Sequence, residues 1–229
     1  MNDVKKIWIV NHYAFTRETG GITRHYDFAI ELIKRGYDVT IFCSSLIHIG
    51  GHNNISNGDL FLQKNEASIN MIYINTPAYK GNGFGRMRNM FFFALRFYKI
   101  SKKMDKPDII YSSTPHLLAT LMSTIVSKKR KIKHILEIRD LWPETYIEYG
   151  ILSRHNPISI FLSLIERICV KNADAVIITA PGMLQYLKKY KIDENKINYI
   201  NNGVDTKEFI ENANKCNIKD CLDFKKHEE

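Results

Sequence analysis

The chain has 229 residues, 45% of them apolar and 25% charged, with a formal net charge of +9. That length allows one large or two small domains burying roughly 70–75% of the unfolded surface, the composition excludes a disordered or repetitive protein away from the C-terminal end, and no apolar run reaches the roughly 18 residues of a spanning helix. The positive balance favours an anionic partner: nucleic acid, phospholipid headgroups or a phosphorylated substrate.

The N-terminal stretch MNDVKKIWIVNHY lacks the long apolar run and cleavage site of a secretory signal and reads as the first strand of a cytoplasmic protein. Cys43, Cys169, Cys216 and Cys221 have no zinc-like spacing and read as reduced thiols. KIWIVN (6–11) is a β-rich run, ITRHYDFAIELIKRG (22–36) has Phe28, Ala29, Leu32 and Ile33 at helical spacing with Gly36 as a stop, and YDVTIFC (37–43) is a strand again. A polar loop over 48–59 precedes a strand at 69–75 and a helix from Phe84 to about Met104. Strands at 107–113, 134–140, 175–180 and 197–203 then alternate with helices at 116–129, 158–174 and 182–190. Continuous apolar strands alternating with helices predict a Rossmann-like, doubly wound α/β fold, a mainly parallel sheet with helices on both faces. Ligands in such sheets lie outside the carboxyl ends of the strands, so the informative positions are 11–21, 113–116, 139–144, 179–182 and 201–205.

After the first strand, NHYAFTRETGGITRH has no G-x-G-x-x-G, and the second strand ends in CSS instead of the acid that would hold a ribose, which disfavours NAD. Gly20 and Gly21, directly before a helix with Arg24 and His25 in its first turn, suit an anion; a tight turn explains the pair equally well.

Four segments in order, GGITRHYDFAIELIKRGYDVTIF, PDIIYSSTPHLLA, LEIRDLWPE and YINNGVDTKEF, resemble the N-terminal half of retaining family four glycosyltransferases of GT-B fold, in particular bacterial enzymes of O-antigen or capsular polysaccharide assembly. The resemblance implies two Rossmann-like domains across a cleft, an acceptor-binding N-terminal one and a C-terminal one for the nucleotide sugar, here a UDP-sugar, with no metal or other cofactor. It places Gly20 and Gly21 beside the donor phosphates, where Arg24 joins them in binding substrate. Many relatives carry His-Asp where this chain has Arg139-Asp140, so the catalytic role moves to Asp140, with Glu144 a second candidate. In that setting Asp140 accepts a sugar hydroxyl or its proton, Arg139 pairs with phosphate or carboxylate through its planar fork, Trp142 offers a flat surface to a sugar ring, and Pro143 fixes the turn. The plainer alternative is an Arg139–Asp140 ion pair with a buried Trp142 closing the corner. In NNGVD, Asn201 replaces the family's proline, Gly203 supplies a hinge turn and Asp205 a cap.

On the helix from Phe84, residues Arg88, Phe92, Arg96, Lys99 and Lys103 share one face, while Phe84, Met87, Phe91, Leu95 and Tyr98 form the next stripe, expected against the sheet. The cationic face fits the anionic inner leaflet, where the acceptor would be a polyprenyl-pyrophosphate-linked saccharide; a solvated face on a core helix is the common alternative. Nucleic acid is disfavoured, since no helix-turn-helix, zinc module or RNP-like motif accompanies the basicity. The expected division is a domain over 1–203 and a linker or frayed tail over 204–229, with the donor-binding half absent. On that reading the chain is a fragment, one subunit of a split transferase, or a noncatalytic module that binds or scaffolds at the membrane surface.

Overall fold

A computed structural model of the chain describes residues 4–14, 16–17, 23–46, 55, 58–81, 83–203, 206 and 210. Its strands are β1 (Lys6–Val10), β2 (Asp38–Ser44), β3 (Phe61–Glu66), β4 (Ile69–Ile74), β5 (Ile109–Ser113), β6 (Lys133–Ile138), β7 (Ala175–Ile178) and β8 (Ile197–Tyr199). The helices are α1 (Arg24–Lys34), α2 (Phe84–Ser101), α3 (Leu117–Arg130), α4 (Glu144–Glu148), α5 (Pro157–Asn172) and α6 (Gly182–Leu187). The strands form one sheet in the order β3-β4-β2-β1-β5-β6-β7-β8, parallel except for β3. The expected doubly wound fold is therefore present. Its order reverses between β1 and β5, which pair in register with Ile9 opposite Tyr111.

Alternation along each strand divides the core. Ile7 and Ile9 of β1 join Tyr26 and Ala29 of α1, whereas Trp8 and Val10 join Phe93 and Phe97 of α2 on the other face. Leu136, Ile138, Val176 and Ile178 continue that second face under α5 and α6. Coverage is unequal: α1 stands alone on its side among the described helices, and an apolar cavity of about 590 Å³ opens beside it, lined by Ile9, Phe28, Tyr111, Ile135, Ile177 and Ile200.

Three expectations need correction. Strand β3, between the expected loop at 48–59 and the expected strand at 69–75, is not among the expected strands because it is an edge strand with its side chains mostly in solvent. It pairs through a tight turn at Ala67 and Ser68, both in the left-handed region (φ 48° and 66°) without the glycine that usually announces such a turn. Helix α2 is rotated by about half a turn from the expected packing: Phe84, Met87 and Phe91 face solvent, and Phe93, Phe97 and Ile100 meet the sheet. The run Phe91-Phe92-Phe93 puts an aromatic on every candidate face, so the pattern alone leaves the phase open. Finally, the segment after β6 contains a separate short helix, α4, before α5.

Helix α3 buries hydroxyl side chains alongside its apolar ones. Ala119, Thr120, Ser123, Thr124 and Ser127 are buried, and the hydroxyls are satisfied within the helix, as in Ser123 Oγ donating to the Ala119 carbonyl (2.9 Å) and Thr124 Oγ1 to the Thr120 carbonyl (2.8 Å). Small side chains let α3 fit between α2 and α5, while Leu117 and Val126 are buried and Leu118 and Leu121 pack half-buried against the Leu136–Ile138 cluster.

Candidate functional site

The strand order places the carboxyl ends of β1, β5 and β6 at the reversal point, where a doubly wound sheet offers its crevice. What fills the base of that crevice is a buried polar network. Glu137, in β6, has no solvent exposure. One carboxylate oxygen accepts Arg24 Nε (2.7 Å); the other accepts His25 Nε2 (2.9 Å) and Ser113 Oγ (2.7 Å). A buried carboxylate is tolerated only when paired and hydrogen-bonded, and this one receives three donors, two from α1 and one from β5.

The protonation of His25 follows from its neighbours. The Tyr13 backbone N–H donates to Asn11 Oδ1 (2.9 Å), which turns the Asn11 amide nitrogen toward His25 Nδ1 (2.7 Å). Nδ1 must then accept, and the ring proton sits on Nε2, aimed at Glu137. Burial lowers the His25 pKa more than Glu137 raises it, so the ring is neutral. Burial pushes Glu137 upward, but the hydrogen bonds and charges of His25, Ser113 and Arg24 outweigh it and hold the carboxyl well below its ordinary range. Arg24 is thus the one full cation in contact with Glu137, through their salt bridge.

Arg24 corrects a sequence expectation. Its remaining nitrogens donate to the carbonyls of Asn201 (Nη1, 2.8 Å) and Ile200 (Nη2, 3.1 Å), and its guanidinium lies 4.5 Å over the Phe28 ring. The side chain is spent inside the protein and does not reach out to a phosphate. Gly20, Gly21 and Asp205 lie outside the described residues.

Above the network stands the strand end singled out by sequence. Thr114 Oγ1 accepts the Arg139 backbone N–H (2.9 Å), which ties the turn after β6 to the end of β5. Asp140 is exposed and Arg139 half-buried, and the ion pair of the plainer reading does not form among the described residues. Trp142 is half-buried against the core cluster that includes α5, edge-on to Tyr146 at 4.6 Å. Glu144 begins α4 and is engaged by Arg154 (2.5 Å) and Lys189 (3.5 Å). Partial burial raises its pKa, the two cations outweigh that, and the net direction is downward, which makes it a weak base.

On the β1–β5 side, His12 and His116 stack at 4.8 Å beneath Phe93. The His116 ring caps α3 by accepting the Ala119 N–H (3.0 Å), and burial holds its pKa well below the ordinary value. Among the described residues no group of His, Cys, Asp and Glu is placed to hold a metal ion, and no helix is long and apolar enough to cross a membrane. Cys43 and Cys169 are free and buried, the latter with its thiol pushed up to about 11 by burial. Of the basic helix face, Arg88, Lys99 and Lys103 are exposed, Phe92 is half-buried, and Arg96 donates to the Asn75 carbonyl and lies over Phe92.

The network was missed because Glu137 sits inside the apolar run HILEI, where an acid looks like a solvent-facing position of a half-exposed strand. The available signal was that a strand central to the sheet is covered on both faces, so an acid within it needs a cationic partner from elsewhere.

A parallel sheet of this order, with a crevice at the reversal point, is a Rossmann-like α/β domain. The chain belongs to glycosyltransferase family 4, whose sequence model matches residues 19–208. Sucrose-phosphate synthase from Thermosynechococcus elongatus superposes with a TM-score of 0.61 at 15% identity, covering 89% of this chain and 49% of the other. Arabidopsis thaliana UGT89C1 complexed with quercetin gives 0.53 at 10% identity over 94% and 56%. Anabaena Alr3699/HepE in complex with UDP-glucose gives 0.50 at 13% identity over 87% and 44%. The chain thus spans about half the length of these structures, and at such identities they show the fold alone. Compared with curated protein sequences, the chain finds no match.

Proposed function

We propose that this chain is the acceptor-side domain, over 1–203, of a transferase that moves a hexosyl or acetamidosugar from a UDP-sugar to a polyprenyl-pyrophosphate-linked saccharide. The process would be O-antigen or capsule assembly at the inner face of the cytoplasmic membrane. The observation that carries the reading is Asp140: an exposed carboxylate at the carboxyl end of β6, beside the reversal point, with its backbone turn anchored to Thr114. Family membership and the UDP-glucose bound by the HepE structure supply the substrate class.

In this reading Asp140 accepts the hydrogen bond of the acceptor hydroxyl and takes its proton as that oxygen bonds to the sugar's anomeric carbon and the bond from that carbon to the diphosphate oxygen breaks, UDP leaving with the electron pair. Positioned acid–base groups of this kind contribute about 10²–10⁴-fold. Arg139, whose side chain makes no ion pair with a described residue, turns its fork to the diphosphate. Glu144, held by its two cations, is the weaker candidate. No metal is invoked.

The test is sugar transfer by the chain combined with a donor-side half, using UDP-glucose or UDP-N-acetylglucosamine and a polyprenyl-linked acceptor. Asp140→Ala should lower transfer about 100-fold or more with unchanged melting; full activity in that variant removes Asp140 from the reaction. The rival reading is a noncatalytic membrane-surface or scaffolding module, and absence of transfer with every donor favours it.

A further inference from the structure

The two faces of the sheet are covered unequally, and the thinly covered side holds a space that the transferase reading does not use. Helix α1 runs from the carboxyl edge of β1 to the amino edge of β2, and beside it the cavity of about 590 Å³ lies over β1, β5, β6 and β7. Its floor is one pleat face of those strands. Ile7 pairs in register with Ile109, Ile9 with Tyr111 and Tyr111 with Ile135, and Ile177 continues the row. One wall is the stripe of Phe28 and Leu32 in α1 with Arg35 at its C-terminal cap, spaced i, i+4 and i+7. The other is Ile200, whose carbonyl is held by Arg24 at 3.1 Å, so the fold itself positions both walls.

The space is sorted along α1. At its inner end Phe28 lies under the Arg24 guanidinium (4.5 Å), and Ile135 stands two residues before Glu137 on the same face of β6, so the cavity stops at the buried network. Its outer end lies about 10 Å further along the helix axis. There Arg35 is exposed and makes no ion pair with a described residue, while neighbouring Glu31 is taken by Lys34 (2.6 Å). The volume falls within the range of about 300–1,000 Å³ of small-molecule pockets, and walls of this kind hold water poorly and take hydrocarbon. A ligand polar along its length would strand its groups against the isoleucines. An apolar floor ending at one cation fits a chain of hydrocarbon with a negative end.

We propose that this cavity binds a single-chain amphipathic anion, its aliphatic chain lying on the isoleucine floor and its carboxylate or phosphate pairing with Arg35 at the amino edge of the sheet. The head group then sits on the edge opposite Asp140, and the chain ends beneath the Glu137 network. The site is separate from the crevice and stands whether or not the chain transfers sugar. A second copy of the chain would also cover an apolar face, but the enclosed volume and the cation at its mouth select the amphiphile.

The experiment is isothermal titration of the full chain with decanoate, decyl phosphate and decanol, with no sugar nucleotide present. Both anions should saturate a single site per chain, the tighter of the two identifying the head group, and decanol should bind about 5-fold more weakly. Arg35→Gln should weaken the anions about 5-fold and leave decanol unchanged, a deficit that fades at high salt. Leu32→Gln should weaken all three about 10-fold. Ile200→Gln, at a residue 43% exposed, replaces it if its melting curve departs from that of wild type. Absence of saturable binding by either anion, decanol binding as tightly as the anions, or anion binding that either variant leaves untouched overturns the proposal. So does a wild-type dimer, seen by light scattering, that Leu32→Gln dissociates and decanoate does not, since the face is then an interface between copies.

Discussion

Glu137 and Asp140 lie three positions apart on the same strand end and live under opposite physics. Glu137 is sealed from water beneath Arg24, His25 and Ser113, with its carboxyl held charged. Asp140 faces the crevice with only its backbone turn anchored. The deeper residue is held by side chains from α1 and β5, and the outer one is exposed. An acid's position in a motif therefore says less about its role than the number of donors around it.

The largest expected effect tests that contrast directly. Arg24→Met leaves Glu137 charged and buried without its cation and should cost about 3–5 kcal/mol in urea unfolding, whereas Asp140→Asn should stay within about 0.5 kcal/mol. Equal losses would break the comparison. Adding Glu137→Gln to Arg24→Met should recover much of the loss, as expected when the penalty is an unpaired buried charge.

Acid sharpens it further. His25, His116 and His134 all have lowered pKa values through burial, His134 to about 4 from 6.5. The folded state keeps these rings neutral while the unfolded chain protonates near 6.5, so their stabilisation is present above that pH and is lost as pH falls toward 4. His134 alone should account for about 3 kcal/mol across that window. Glu137, depressed from 4.5, adds its own loss only below that value. Melting temperatures that stay flat from pH 7 to 4.5 would contradict the neutral buried histidines.

Two smaller effects calibrate the scale away from the network. Ser68→Gly, at φ 66° in the β3–β4 turn, should stabilise by about 0.5–1 kcal/mol. Arg154→Gln removes an ion pair whose arginine side chain is 59% exposed and should barely move the melting temperature, while letting the Glu144 pKa rise.

The alternation of strands and helices was legible because buried parallel strands are written as apolar runs, and the doubly wound order follows from it. The strand end at Arg139 and Asp140 was legible as well. What could not be read was anything decided by side chains meeting across the chain. Arg24 looks like an anion ligand until Glu137 and two carbonyls are known to surround it. The phase of α2 was hidden by its three adjacent phenylalanines, and β3 by its exposure at the edge.

The guanidinium of Arg24 has a mechanical meaning as well. It is a flat, rigid fork fixed at one tine by the carboxylate of the sheet, and its other tines grip two successive carbonyls of the strand leaving β8. A shift of those carbonyls by more than a fraction of an ångström would cost donors that have no water to turn to. Ile200 and Asn201 are accordingly held on a fixed bearing, the latter by a side chain 177 positions earlier.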